Sequence, residues 1–136
     1  VEKAGTMYVT GPEVVKTVLG EEISFEDLGG AMTHGTKSGV AHFVAKNEYE
    51  CMDYIKKLLS YIPQNNSEAP PSVKPSDDPN RLDNNLINIV PEDSLKPYDM
   101  KEIIYSILDD NTFFEIHELF AQNVVVGFGR MNGKTV

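Results

Sequence analysis

A chain of 136 residues is long enough for one modest domain or for a slice of a larger one, and it buries about two-thirds of its unfolded surface if it folds alone. Its 21 acidic residues against 12 basic ones give a net charge of −9, and no basic cluster exceeds Lys56-Lys57, which argues against nucleic acid as a partner. Cys51 is the only cysteine, so no internal disulfide can form and a reducing compartment is expected. No apolar run approaches the ~18 residues of a membrane span, and Val1-Glu2-Lys3-Ala4-Gly5 lacks the basic-then-apolar layout of a signal peptide; a soluble protein without membrane insertion is expected.

In chain order, Met7-Tyr8-Val9 reads as the end of a strand. Thr10-Gly11-Pro12 then opens a helix, with proline suited to its first turn, Gly20 to its stop, and Val14, Val15, Val18 and Leu19 on one apolar face. Ser24, with Asp27 three residues later, is a cap signature for a short helix that runs into LGGAMTHGTKSGVAHF, residues 28–43. Asn47 and Glu50 repeat that signature ahead of a helix carrying Met52, Ile55, Leu59 and Ile62 at helical spacing, with Cys51 and Leu58 beside them. The charged Glu48, Glu50, Asp53, Lys56 and Lys57 lie elsewhere on the helix. The spacing therefore predicts the Met52 stripe as the buried face and Cys51 as a small hydrophobe at its margin.

Of the eight prolines, seven lie between Pro63 and Pro97, which marks this span as a linker between two structured pieces. Within it, QNNSEAPPSVKPSDDPNRLDNN has almost no apolar anchor, whereas Leu86 to Val90 could dock on a neighbouring surface. Asp99 and Glu102 then sit at capping-box spacing before Met100, Ile103, Ile104, Ile107 and Leu108, a third amphipathic helix that Asp109-Asp110-Asn111 breaks. Phe113 to Ile116 is a short strand candidate. Val124 to Phe128 leads to Asn132-Gly133, a strong hairpin signal, after which only Lys134-Thr135-Val136 remain. A return strand is usually ~5 residues or more, and no methionine begins the chain, so a fragment cut at both ends is expected. An unpaired edge at Val124 to Phe128, an uncovered helix stripe and a polar linker together predict a homo-oligomer, with the linker or that strand lying on a neighbouring chain.

The glycine-rich residues 28–43 raise three chemical possibilities. A metal site would need His34 and His42 to converge with Cys51 or His117, but their spacings match neither the pairwise zinc motifs nor a helical i, i+4 pair, so no metal is expected. A phosphate cradle would need a spaced partner glycine and a preceding strand; Gly35-Thr36-Lys37-Ser38 has neither. A nucleophile elbow would need G-x-S-x-G, and Thr36-Lys37-Ser38-Gly39-Val40 lacks the first glycine. The residues by themselves favour a tight helix-loop-strand corner in which Ser38 caps, the glycines let backbone pack closely and His34 bonds a carbonyl, with His42 in a packed strand.

The segment TGPEVVKTVLGEEISFEDLGGAMTHGTKSGVAHFVAKNE, residues 10–48, resembles the carboxyltransferase subunits of biotin-dependent acyl-CoA carboxylases. Their pattern reads T-G-P-x-V-[IV]-K, then E-[DE]-L-G-G-A, then T-H-x-x-x-S-G-V-A-H. The resemblance continues through LLSYIPQNN, DDPNR, IVPEDSLKPYDM, ILDDNTFFEI and NVVVGFGRMNGKTV, so it covers essentially the whole chain. Within the family the pattern is similar to propionyl-CoA carboxylase β subunits, methylmalonyl-CoA decarboxylase α subunits, which belong to a decarboxylating sodium pump, and transcarboxylase subunits.

The resemblance implies an α/β fragment of a crotonase-like ββα superhelix spanning the junction of two halves. Residues 1–62 would close the first half, 63–97 link the halves and 98–136 open the second. It implies transfer of a carboxyl group between carboxybiotin and a short acyl-CoA, with biotin held on a partner carrier, a biotin carboxylase component as a further partner, and a cytoplasmic or mitochondrial-matrix location. Two backbone N–H pairs stabilise the enolates in this family; they resemble P-C-A-G-G-A-x-Y before Val1 and F-G-G-A-Y beyond Val136. No catalytic residue is therefore expected within the chain, and Gly29-Gly30 only imitates such a pair. Gly30, His34, Ser38 and Gly39 are expected to line the substrate cleft.

Overall fold

The computed structural model describes residues 1–136 in full. They divide into two compact units: Val1–Lys56 with His117–Val124, and Lys57–Ile116 with Val125–Val136. The chain thus leaves the first unit within one helix, and after Ile116 it returns for eight residues.

In the first unit, α1 (Pro12–Leu19) has proline in its first turn and ends at Gly20, whose amide bonds Lys16 from the left-handed conformation. Helix α2 (Phe25–Gly29) begins at Ser24, whose Oγ accepts the Asp27 amide at 3.1 Å. It continues into α3 (Ala31–Thr33) and a π-helical turn, His34–Ser38. Helix α4 (Glu48–Leu59) starts as its cap signature requires: Asn47 Oδ1 accepts the Glu50 amide at 3.0 Å, while the Glu50 carboxylate reaches the Lys46 amide.

Several expectations change here. Met7 to Val9 is not a strand end; the backbone pairing there is the isolated bridge Thr6↔Gly30 and the Met7 N–H to Gly29 carbonyl bond. Val40 to Phe43 forms no strand: Ala41 donates to the His34 carbonyl and His42 accepts the His117 amide, so His42 does not sit in a packed strand and is exposed. Neither segment has a neighbouring strand within reach, and backbone pairing needs one.

The Met52 stripe is the expected uncovered one and not a buried face: Met52, Ile55 and Leu59 are 51, 44 and 46% exposed, and Ile62 is half-buried. Tyr54 packs inward instead, its ring stacked on Phe43 at 5.4 Å. Spacing identifies the apolar face, but burial needs a covering element, and none of the 136 residues covers this one.

In the second unit, α5 (Leu86–Ile89) half-buries Leu86 and Ile89, and α6 (Met100–Ile107) is capped by Asp99, which accepts the Lys101 amide at 2.9 Å. A 3-10 turn, Asp109–Asn111, breaks α6 with Asp110 and Asn111 at positive φ. Strands β1 (Phe113–Ile116), β2 (Val126–Met131) and β3 (Lys134–Thr135) form an antiparallel sheet in that order. Asn132 and Gly133, both at positive φ, form the hairpin turn between β2 and β3.

The strand expected from Val124 starts at Val126. Phe113 to Ile116 pair with Gly129 to Val126 on one side, whereas β3 pairs only with Arg130 and Met131 on the other, so Val126 to Phe128 have no strand on their hairpin side. Its core is aromatic: buried Tyr61 stacks on Phe114 and Phe128 at 5.9 and 5.6 Å, and the Arg130 guanidinium lies 4.1 Å above the Tyr61 ring.

The Pro-rich span is anchored by side chains of its own chain. Arg81 Nη2 donates to the Ser106 and Leu108 carbonyls at 2.8 and 2.7 Å, and Nη1 pairs with Asp77 at 3.0 Å. Asp77 accepts the Asp110 amide, Asp110 accepts the Ser76 amide and hydroxyl, and the Val73 amide bonds Gly133. The anchors are a guanidinium at the carbonyl end of α6 and two carboxylates, so a search for apolar anchors overlooks them.

Candidate functional site

The glycine-rich corner is built from α2 outward. A Cβ at Gly29 would collide with the Met7 carbonyl oxygen, so only glycine lets the 6–7 backbone lie against the end of α2. The Met7 amide donates to the Gly29 carbonyl at 2.8 Å there. Gly30 spends its N–H on the Glu26 carbonyl at 2.9 Å, and Thr33 Oγ1 also donates to Glu26 at 2.9 Å. Gly29-Gly30 therefore does not offer a pair of free donors to an oxyanion.

From this base the π-helical turn carries His34 and Ser38. His34 Nε2 lies 2.5 Å from the Met7 carbonyl oxygen, and Nδ1 lies 2.8 Å from Ser38 Oγ. A carbonyl only accepts, so Nε2 is the donor at that end, and in a neutral ring Nδ1 then accepts the Ser38 hydroxyl. Ser38 Oγ in turn accepts the Val40 amide at 3.3 Å. Gly39 ends the turn at φ 67°, with its α-carbon against the Phe120 ring: a Cβ there would lie 2.5 Å from Cδ1.

Gly30, His34, Ser38 and Gly39 thus belong to one continuous corner, with Ser38 exposed and Gly30 buried. His42 pairs elsewhere. Its ring lies 4.3 Å from that of His117, whose amide donates to the His42 carbonyl at 3.1 Å. No group of three His, Cys, Asp or Glu residues is placed to hold a metal ion.

Met7, His117 and Phe120 complete the corner, and no local motif in the sequence announces them. Nearby on α4, the Tyr54 phenol is pushed above its ordinary value, first by burial and then by the Glu50 and Glu118 carboxylates.

The corner thus brings an exposed hydroxyl, an imidazole and closely packed glycines together in a mixed helix-and-sheet chain. The chain belongs to the carboxyl transferase domain family, which matches residues 1–136.

It is 52% identical over 130 residues to the propionyl-CoA carboxylase carboxyltransferase subunit of Haloferax mediterranei, covering 96% of this chain and 25% of that protein. It is 44% identical over 136 residues to the methylmalonyl-CoA decarboxylase α subunit of Veillonella parvula, covering 100% and 27%. Among solved structures it superposes on one chain of transcarboxylase 12S, determined as a hexamer with hydrolysed methylmalonyl-coenzyme A bound. The TM-score is 0.91 at 40% identity, over 96% of this chain and 26% of that one.

The fold is therefore the crotonase-like carboxyltransferase fold that the ordered motifs imply. The chain spans about a quarter of the length of the relatives it matches.

Proposed function

We propose that this chain is the central segment of a biotin-dependent carboxyltransferase that moves a carboxyl group between carboxybiotin and a short acyl-CoA, propionyl-CoA or methylmalonyl-CoA. The observation that carries the proposal is similarity at 44 to 52% identity, along nearly the whole chain, to subunits named for those two substrates. A decarboxylating sodium pump or a transcarboxylase is the main alternative, since a methylmalonyl-CoA decarboxylase α subunit and transcarboxylase 12S align along 100 and 96% of the chain. An assembly module without its own chemistry is a second alternative, favoured by the exposed apolar stripe on α4.

In this proposal residues 1–62 close the first crotonase-like half, 63–97 connect the halves and 98–136 open the second. Gly30, His34, Ser38 and Gly39 line the cleft. The exposed Ser38 oxygen, an uncharged acceptor, suits the N–H of amide and ureide groups, which biotin and the pantetheine arm of coenzyme A present. Carboxybiotin, held on a partner carrier domain, supplies the activated carboxyl group when bound.

This segment's share is to position ligand and shape the cleft. Enolate stabilisation falls to N–H pairs outside it, since Gly30 has its N–H committed to Glu26. A biotin carboxylase component and further copies of the subunit complete the assembly, in the cytoplasm or the mitochondrial matrix.

Radiolabelled bicarbonate fixation by the full-length subunit, with its biotin partner and a panel of acyl-CoAs, tests the proposal. Transfer to propionyl-CoA is the expected result, and no transfer to or from any short acyl-CoA would overturn it. The 136-residue chain alone is expected to be inactive, because each missing set of donors is worth ~10² or more in rate. Turnover of methylmalonyl-CoA by the chain alone would contradict the assignment of the N–H pairs.

A further inference from the structure

We propose that Ser38 receives an amide-type N–H of the bound ligand, because His34 holds the serine hydroxyl hydrogen and leaves only lone pairs facing outward. This inference rests on the carboxyltransferase proposal above and assigns a polarity to its cleft wall. The geometry that points to it is a relay running in one direction. The Met7 carbonyl can only accept, so His34 Nε2 is the donor at that end.

In the neutral ring that the proposal takes, Nδ1 has no hydrogen and accepts from Ser38 Oγ at 2.8 Å. The hydroxyl has one hydrogen, and it is spent on Nδ1. Of its two lone pairs, one takes the Val40 amide through a long contact of 3.3 Å, and the other is free on an exposed side chain.

A carbonyl, carboxylate or phosphate oxygen arriving at Ser38 would meet another acceptor and be repelled. An N–H donor would complete the oxygen's bonding. His34 is therefore a positioning residue: the imidazole, 27 positions from its carbonyl partner in sequence, sets what Ser38 can recognise.

Two groups in the proposed reaction carry amide-type N–H donors, the ureide of biotin and the amides of the pantetheine arm. Both have the required chemistry, and kinetics separates them.

The first measurement is long-range proton–nitrogen NMR on the 136-residue chain at neutral pH. His34 is expected to be protonated on Nε2, with Nδ1 showing the shift of an unprotonated acceptor; the opposite tautomer or an imidazolium would overturn the inference. The second uses the full-length subunit with biotinyl-lysine and propionyl-CoA varied separately. Ser38→Ala is expected to raise KM about three- to tenfold for one of the two, the loss of one hydrogen bond. Biotinyl-lysine is affected if the donor is the ureide, and the acyl-CoA if it is pantetheine.

Ser38→Thr should restore that KM. The N-methylated form of the affected ligand should show the same loss with the unmutated subunit and no further loss with Ser38→Ala. Equal changes in both KM values, no change in either, or a loss that follows a drop in melting temperature and resists Ser38→Thr would show that Ser38 only locks the turn. A subunit that transfers no carboxyl group would overturn the carboxyltransferase proposal, while the tautomer measurement would still stand alone.

Discussion

Replacing Asp109 by alanine should unlock the β2–β3 hairpin. Asp109 is 4% exposed, and each carboxylate oxygen is committed: Oδ1 accepts the Asn132 amide at 2.9 Å and Oδ2 accepts the Gly133 amide at 2.6 Å. These are the two residues of the turn, both at positive φ, so one carboxylate holds the tightest part of the hairpin. Hydrogen bonds to a charged group contribute about 1.5–3 kcal/mol each, or roughly 3–6 kcal/mol for the pair. Removing the carboxylate also removes its own desolvation cost, which brings the expected loss to about 2–4 kcal/mol. That is a large fraction of the ~5–15 kcal/mol that holds an ordinary domain.

Asp109→Asn keeps one acceptor and turns an NH2 group toward the other amide, so it should fall between alanine and the unmutated chain. Urea unfolding followed by circular dichroism, with an m-value of about 2 kcal/mol per molar, should show the midpoint falling by about 1–2 M for Asp109→Ala. Amide exchange at Asn132 and Gly133 should accelerate in parallel. An alanine variant within ~0.5 kcal/mol of the unmutated chain, with those amides still protected, would refute the carboxylate's role.

Gly39→Ala should cost about 1–3 kcal/mol, since it forces a side chain into the left-handed region and against the Phe120 ring, and thermal unfolding reads the loss. Met52→Asp should change the stability of this chain by less than ~0.5 kcal/mol because Met52 is exposed, and collapse of its helical circular dichroism would show that the stripe is covered. Tyr54 holds its proton more tightly in the folded chain than in the unfolded one. The stabilisation is full below the ordinary phenol value of 10.0 and is lost as pH rises through the raised value. Tyr54→Phe should remove that alkaline slope, and an unchanged slope in urea titrations above pH 10 would assign it to another group.

The elements that could be read from sequence are those whose stabilising contacts lie within about four residues. Ser24 caps α2, Asn47 caps α4, Pro12 and Gly20 bound α1, and Asn132-Gly133 turns the hairpin, each through bonds made inside the motif itself. The order of the longer motifs also sufficed to identify the family, because residues held in one sequence order over the whole chain are specific whether or not their roles are known.

Tertiary structure decided what each motif meets. The face of α4 that is buried depends on which element returns to cover it: Tyr54 finds Phe43, whereas Met52, Ile55 and Leu59 find nothing. Arg81 reads as one charge in a polar linker until the end of α6 is brought beneath it, and Asp109 reads as a helix breaker until the hairpin amides arrive 23 and 24 residues later. At the corner, the bond between His34 and Ser38 follows from their spacing on one turn, but the Met7 carbonyl that sets the imidazole's tautomer comes from outside the motif. Local geometry limits the conformations a short segment can take. The identity of a distant partner depends on the path of the whole chain, and no window of a few residues contains that path.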